Sequence, residues 1–211
     1  MRIIWIYLNL IFWTLLFGLS SFFTISLTGR KENFKFFSRI WGKTLSFIFN
    51  IKLIVKGHNL QDRNYIFASN HASLIDIPLL LIAVNRYTVF IAKSELSKIP
   101  IFKSILDRAG FIFVDRRNND SAVESMNNLM DEIKETPRSV AIFPEGTRTK
   151  DGELLPFKKG AAIFGINTKV PIIPVAISGT YHWSQKKLFD LSQSVITVSY
   201  THLTLPTNRE V

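Results

Sequence analysis

The N-terminal segment constrains this chain more than any other feature, because residues 3–28 contain no charged side chain. Arg2 precedes the segment, and Arg30 and Lys31 follow it. Its length exceeds the roughly 20 residues that a helix needs to cross a bilayer. It also contains aromatic residues of the types favoured at membrane interfaces, namely Trp5, Tyr7 and Trp13. We therefore predict that this segment is a membrane anchor.

Two other interpretations of the segment compete with a spanning helix. A cleaved signal peptide would have a shorter apolar region and a small-residue cleavage site, and no Ala-x-Ala-like site follows here. A helix lying in the membrane interface stays open, because the segment carries the polar residues Asn9, Ser20, Ser21, Thr24 and Ser26. The basic residues that follow are Arg30, Lys31, Lys35 and Arg39. By the positive-inside rule they place the rest of the chain on the cytoplasmic side.

Residues 34–50 are predicted to form an amphipathic helix, since apolar side chains recur there at roughly helical spacing. The apolar set is Phe36, Phe37, Ile40, Trp41, Leu45, Ile48 and Phe49, and the basic set is Lys35, Arg39 and Lys43. Such a helix either covers the domain core or lays an aromatic face into the acyl region, with its basic rim on anionic headgroups. The sequence leaves both interpretations open.

Beyond residue 50 the pattern alternates between strands and helices. The β-rich runs are 51–55, 65–69, 88–92, 111–114, 140–143, 172–177 and 195–199. The helical stretches between them are 77–84, 98–108, 121–135 and 159–167. This alternation predicts an α/β domain with a mostly parallel sheet.

Composition narrows the chemistry that is available to the chain. The absence of Cys excludes a disulfide framework, a thiolate metal site and a cysteine nucleophile, and only four His argue against a multi-histidine metal site. Lys and Arg number 26 against 16 Asp and Glu, a formal net charge of +10. We expect this charge to attract anionic lipid and not nucleic acid, because the basic residues are scattered around apolar elements and no nucleic-acid motif is present.

Polar clusters follow three of the predicted strands, at 70–78, 115–117 and 144–148. Functional residues of such sheets gather at strand ends and in the loops that follow them. The clusters supply an imidazole, carboxylates and several guanidinium groups. We therefore expect the functional site to be built from these three loops.

His71 and Asp76 lie in the first cluster. In an ideal helix five residues rotate by about 140°, which would point the two side chains apart. Pro78 suits a first helical turn, so the residues before Asp76 form a turn that can fold His71 back towards it. An aspartate accepting the Nδ1–H would leave Nε2 free as a general base. The alternative is that Asp76 only caps the helix and His71 is an ordinary loop histidine.

Residues 145–148 follow the fifth predicted strand as Glu-Gly-Thr-Arg. Gly146 permits a tight turn, Thr147 offers a hydroxyl, and Arg148 can bind a phosphate in a bidentate manner. Arg116 and Arg117 would add positive charge from the neighbouring strand end. The alternative is a solvated loop in which Glu145 and Arg148 pair with each other, an interaction of little value. A nucleotide triphosphatase is disfavoured, since the chain has no Gly-rich phosphate loop.

These residues fall into four ordered blocks that resemble the glycerolipid acyltransferases. The blocks are Asn70-His71-x4-Asp76, 110–116, 143–148 and 170–175, and residues 92–100 are similar to the family's linker between the first two blocks. Within this group the chain resembles most the 1-acyl-glycerol-3-phosphate (lysophosphatidate) acyltransferase family. The resemblance covers roughly residues 48–197.

The resemblance implies a role for each matching residue. His71 would deprotonate the acceptor hydroxyl, Asp76 would orient His71, and the acceptor oxygen would attack the thioester of acyl-CoA or acyl carrier protein. Lys93 would stabilise the developing oxyanion, and Pro174 would shape an acyl-binding wall. The positions associated with binding the acceptor glycerol phosphate are matched by Arg116, Glu145, Gly146, Thr147 and Arg148. No metal, cofactor or covalent enzyme intermediate is implied.

The resemblance also implies a three-layer αβα domain around a mostly parallel mixed sheet. We expect residues 51–197 to form this domain, after an anchor and amphipathic helix over residues 1–50. The expected activity makes phosphatidic acid at a membrane, with the site on the cytoplasmic side and with membrane lipid, a lysophospholipid acceptor and an acyl donor as partners. The alternatives are an acyltransferase for another lysophospholipid or a lyso-aminolipid, and a non-catalytic lipid-binding protein.

Residues 198–211 do not match the family's continuation and resemble a translated sequencing adapter. We expect this segment to be non-native, the acyltransferase domain to be truncated, and His202 to carry no function.

Overall fold

The computed structural model describes residues 2–57, 60–114, 138–186 and 192–200. The helices in these ranges are α1 (Arg2–Thr28), α2 (Phe34–Ile48), α3 (Asp76–Val84), α4 (Pro100–Arg108), α5 (Gly160–Thr168) and α6 (Thr180–Gln185). The strands are β1 (Ile51–Gly57), β2 (Ile66–Ser69), β3 (Thr88–Lys93), β4 (Ile112–Val114), β5 (Ser139–Ile142), β6 (Ile172–Ser178) and β7 (Ser194–Tyr200). Short 3-10 helices cover Lys31–Asn33 and Ser94–Lys98.

The strands form one mixed sheet in the order β1-β7-β6-β2-β5-β3-β4. Strands β6, β2, β5, β3 and β4 run parallel to one another, while β7 is antiparallel to β6 and parallel to β1. Each predicted strand is present with its ends shifted by two residues at most. The predicted fold class is therefore confirmed.

Helices cover both faces of the sheet, as the alternating residues of β2 illustrate. Phe67 packs in the apolar cluster that contains Leu45 of α2 and Leu79 of α3. The preceding residue, Ile66, packs in a second cluster with Phe164 of α5. Because successive strand residues point to opposite faces, the two clusters mark the two interfaces of a three-layer αβα arrangement.

The helix predicted over residues 98–108 differs from the structure at its start. A 3-10 helix ends at Lys98, and α4 begins at Pro100. Ile99 between them is extended, with φ −98° and ψ 104°. Proline favours the first helical position but disfavours a helical conformation in the residue before it, so the two helices are separate. The helix predicted over 121–135 lies outside the described residues.

Helix α2 covers the domain core with one face and exposes aromatic side chains on another, and its predicted contact with lipid stays a prediction. Its inner face packs closely on α3, where a Cβ on Gly42 would lie 2.7 Å from the carbonyl oxygen of Pro78. Leu45 on this face is fully buried. Two aromatic side chains point outwards, Phe36 at 62% and Phe47 at 88% exposure. The helix therefore covers the core and also presents an apolar surface.

Helix α1 packs along the domain. Over Ile4–Thr28 it is long and apolar enough to cross a membrane. Trp5 meets Phe49 with ring centroids 5.5 Å apart, and Ile25 near the other end is buried. In between, Gly18 faces Ile105 of α4. The outward side carries the exposed residues Ile4, Tyr7, Leu8, Ile11, Phe12, Leu16, Phe23 and Leu27.

Strand β7 extends past residue 197, the end predicted for the domain. Val198 is buried and pairs with Val55 of β1 and with Ile177 of β6. Residues 201–211, including His202, lie outside the described residues. The predicted non-native origin of residues 198–211 stays a prediction.

Candidate active site

The candidate site lies where strands β2 and β5 end side by side. The two strands are parallel neighbours, with Ile66 opposite Val140 and Ala68 opposite Ile142. Their carboxyl ends therefore share one edge of the sheet, the edge at which α/β proteins place their sites. The loop after β2 contains His71, and the loop after β5 contains Glu145.

The turn between β2 and α3 brings His71 and Asp76 together. Nδ1 of His71 lies 2.8 Å from Oδ2 of Asp76. The same oxygen accepts hydrogen bonds from the backbone N–H groups of Ala72 and Ser73, both at 2.7 Å. The carboxylate thus binds the turn that precedes it, and α3 has no side-chain hydrogen bond from its N-cap residue, Ile75. This arrangement differs from the simple helix cap that was the alternative.

The environment of the pair suits a proton-accepting imidazole. The Asp76 side chain is fully buried, whereas that of His71 is 12% exposed. A carboxylate only accepts hydrogen bonds, so the ring nitrogen facing it carries the proton. Nε2 is then the free acceptor of the ring. The geometry of the pair is the one expected if His71 is the general base that the resemblance implies.

Phe143 provides a platform for the imidazole. Its ring stacks on that of His71 with centroids 3.9 Å apart and an interplanar angle of 12°. Phe90 stacks behind Phe143 at 5.7 Å. The imidazole is therefore held in its plane by the Asp76 bond and across its face by an aromatic ring. Phe143 was not among the predicted site residues, although its position next to the end of β5 could have suggested it.

Glu145 holds the backbone of His71. Its Oε1 accepts the His71 N–H at 2.6 Å, and its Oε2 accepts the N–H of Leu155 at 3.0 Å. The carbonyl of His71 accepts the N–H of Thr149 at 3.0 Å. Residues 145 and 149 thus bind both backbone polar groups of His71, its N–H and its carbonyl. Thr147 and Arg148 lie between these two residues in the chain.

The alternative of a Glu145–Arg148 ion pair is not found in the described residues. Glu145 is buried and bonded to backbone amides, while Arg148 and Thr147 are exposed. Gly146 has a φ of +72°, a left-handed conformation that favours glycine. A Cβ at this position would lie 3.0 Å from both Cε and Nζ of Lys158. Lys158 is thus a neighbour of the turn that sequence reasoning missed.

Lys93, for which the resemblance implies a role in stabilising the oxyanion, is paired with an acid. Its Nζ lies 2.8 Å from Oε1 of Glu95, and both side chains are largely exposed. The hydrogen bond from Lys93 lowers the pKa of Glu95 to about 2. Glu95 is therefore ionised at neutral pH and offsets the lysine charge. The oxyanion role of Lys93 stays an expectation.

Asn70 and Pro174, two further residues of the predicted blocks, lie at the sheet. Asn70 joins β2 to β6, because its Nδ2 donates to the Ile177 carbonyl at 2.9 Å and its Oδ1 accepts the Ile177 N–H at 2.7 Å. This positions the residue before His71. Pro174 lies within β6, opposite Ala68. Arg116 and Arg117 lie outside the described residues.

Comparison with known proteins shows that this chain is similar to acyltransferases. A model of the acyltransferase family matches residues 52–178. A 1-acyl-sn-glycerol-3-phosphate acyltransferase of Cocos nucifera is 34% identical over 164 residues, which are 78% of this chain and 53% of the relative. The Limnanthes douglasii enzyme of that name is also 34% identical, over 78% of this chain and 58% of the relative. This chain therefore spans about half the length of these curated relatives.

A solved structure shares the fold. It is the 1-acyl-sn-glycerophosphate (LPA) acyltransferase, PlsC, from Thermotoga maritima, with a TM-score of 0.71 and 28% sequence identity. The match covers 95% of this chain and 85% of that one. The likeness thus extends over the sheet, the helices around it and most of the N-terminal segment.

Proposed function

This chain belongs to the acyltransferase family, and we propose that it transfers a fatty acyl group from a thioester donor to the free hydroxyl of lysophosphatidic acid, giving phosphatidic acid. The observation that carries the proposal is the 2.8 Å contact between His71 Nδ1 and Asp76 Oδ2. It leaves Nε2 as a base beside a loop that presents Arg148. The names of the relatives support the choice of acceptor.

In the proposed reaction, Nε2 of His71 takes the proton of the acceptor hydroxyl. The oxygen attacks the thioester carbonyl, a C–O bond forms, and the tetrahedral intermediate collapses with cleavage of the C–S bond. The imidazolium returns its proton to the departing thiolate. Asp76 stabilises the imidazolium, and a general base of this kind contributes about 10²–10⁴-fold in rate.

Arg148 and Thr147 are the proposed phosphate ligands among the described residues. Both are exposed, and no ion pair with a described residue occupies Arg148. A guanidinium matches the geometry of a phosphate group with two parallel N–H donors. Glu145 is proposed to position His71 and not to bind the phosphate, because its carboxylate accepts hydrogen bonds from two backbone N–H groups.

The membrane proposal concerns α1, which we infer lies in the interface of the cytoplasmic leaflet. The helix contacts the domain from Trp5 to Ile25. If α1 crossed the bilayer in this arrangement, α2 and α4 would have to enter the hydrocarbon core with it. Those helices contain Lys35, Arg39, Lys43, Lys103, Asp107 and Arg108. Charged side chains are costly within the hydrocarbon core. An in-plane helix avoids that cost and keeps its outward apolar side in lipid.

The experiment is an activity matrix on the full chain reconstituted in liposomes. Acyl-CoA and acyl carrier protein are the donors, and lysophosphatidic acid is compared with another lysophospholipid and a lyso-aminolipid. We expect transfer to lysophosphatidic acid, a loss of at least about 10²-fold in His71→Ala, and unchanged turnover in the control His182→Ala, whose side chain is exposed on α6.

Two results would overturn the proposal. Near-wild-type turnover of folded His71→Ala would remove the base assignment. A clear preference for a lyso-aminolipid would assign the chain to the related acyltransferase class.

A further inference from the structure

We propose that Lys158 is a phosphate-binding residue of the active site that acts together with Arg148, an inference that rests on the function proposed above. The ligand is a phosphate monoester, carried either by the lysolipid acceptor or by the donor. Backbone contacts hold Lys158 against the Gly146 turn.

Two hydrogen bonds fix the segment 155–158 on this turn. The N–H of Lys158 donates to the Pro144 carbonyl at 2.9 Å, and the N–H of Leu155 donates to Oε2 of Glu145 at 3.0 Å. The other oxygen of Glu145 accepts the His71 N–H. A single buried carboxylate therefore joins the Lys158 segment to the loop of the base.

The side chain of Lys158 runs across Gly146. A Cβ on Gly146 would lie 3.0 Å from Cε and Nζ and 3.3 Å from Cδ of Lys158. The last three side-chain atoms of the lysine thus follow the glycine backbone. This brings the ammonium group to the residue between Glu145 and Thr147, next to the proposed phosphate ligands.

Charge distinguishes Lys158 from Lys93. Lys93 is offset by Glu95 at 2.8 Å. Lys158 is exposed and forms no ion pair with a described residue, and the same holds for Arg148. The nearby Glu145 carboxylate is occupied by two N–H donors. An arginine binds a phosphate through the planar, bidentate guanidinium, and a lysine adds a compact ammonium charge. The two together suit a dianionic phosphate.

A purely structural role of Lys158 is the competing explanation, since a lysine stem can cover backbone without using its charge. Lys158→Met keeps most of the stem and removes the ammonium, and Lys158→Arg keeps a cation. Lys159→Met is the matched control, because Lys159 is the exposed neighbour at the start of α5.

Steady-state kinetics of the reconstituted chain, with one substrate varied at a time, test the inference. Removal of a charged hydrogen bond predicts that Lys158→Met raises the KM for one phosphate-bearing substrate by roughly tenfold or more. We expect kcat to stay within about twofold, Lys158→Arg to recover most of the loss, and Lys159→Met to match the wild type. A raised KM for lysophosphatidic acid identifies the acceptor phosphate, whereas a raised KM for acyl-CoA alone identifies the donor.

A binding measurement tests the inference independently of catalytic turnover. Glycerol 3-phosphate titrated into the reconstituted chain should bind roughly tenfold more weakly to Lys158→Met than to Lys159→Met. Equal affinities together with unchanged KM values would refute the role of Lys158. An inactive wild type that still shows this difference in binding would refute the acyl transfer and retain the phosphate site.

Discussion

The backbone N–H of His71 donates a hydrogen bond of 2.6 Å to Oε1 of Glu145, 74 residues away in the chain. The carboxylate therefore acts on the position of the base, while the imidazole ring itself is held by Asp76. Thr149 completes the contact by donating its N–H to the His71 carbonyl. A segment that resembles a substrate-binding motif is thus also the support of the proposed catalytic base.

The first prediction concerns Glu145→Gln. The amide has only one oxygen, so either the His71 or the Leu155 N–H loses its acceptor beside the buried side chain of residue 145. A buried unsatisfied donor costs about 1–3 kcal/mol. We expect the free energy of unfolding to fall by that amount in urea denaturation, and kcat to fall as His71 moves. Glu153→Gln, an exposed neighbour, is the control, and an unchanged kcat in Glu145→Gln would contradict the support role.

The second prediction concerns Asp76→Asn. The N–H groups of Ala72 and Ser73 and Nδ1 of His71 all meet one oxygen of Asp76, Oδ2. An amide oxygen in that place keeps these hydrogen bonds, but the amide carries no charge to stabilise the imidazolium that the proposed reaction forms. We expect kcat to fall by roughly tenfold or more, because hydrogen bonds to charged groups contribute about 1.5–3 kcal/mol, while NMR of the imidazole nitrogens should report the proton still on Nδ1. Asp62→Asn serves as the exposed control, and activity within twofold of the wild type would contradict the electrostatic role of Asp76.

The third prediction compares two glycines. Gly146 has a φ of +72°, and a Cβ there would crowd Lys158. A left-handed conformation costs a residue with a Cβ roughly 1–2 kcal/mol, so Gly146→Ala should lower the free energy of unfolding by about that amount. At Gly160 nothing lies within 4 Å of an added Cβ. Gly160→Ala should be neutral or stabilising by up to about 1 kcal/mol, and equal thermal unfolding shifts would be inconsistent with the strain argument.

The fourth prediction concerns the membrane surface of α1. Leu8 and Phe12 are 61% and 58% exposed on its outward side. Burying such side chains in lipid contributes up to about 1.5–3 kcal/mol each, so Leu8→Ser with Phe12→Ser should lower partitioning into anionic liposomes at least tenfold. Val195→Thr removes an exposed apolar group from β7 and should leave flotation unchanged. Equal flotation of all three proteins would argue against a lipid-facing helix.

Local patterns were enough to predict much of this protein. Hydrophobic periodicity is a property of neighbouring residues, and it identified each strand of the sheet and most helices between them. The contact of His71 with Asp76 spans only five residues. The turn before Pro78 could therefore also be predicted from neighbouring residues. The break at Ile99 is also local, but it depends on the residue before a proline, which the helical pattern alone does not show.

Strand order is the property that the local patterns left open. It places β5 next to β2 although 69 residues separate Ser69 from Ser139, and only that neighbourhood brings Glu145 and Thr149 to His71. It likewise decides that Phe143 supports the imidazole and that Lys158 lies on the Gly146 turn, while Lys93 pairs with Glu95.

The sequence by itself determined an α/β domain with an apolar N-terminus and a His-Asp pair, because these follow from residue types and short spacings. The tertiary structure decided which distant loops share the sheet edge and that α1 lies along the domain. The physical reason is that strand order and helix docking depend on how apolar faces from the whole chain are buried together, and no local segment contains that information.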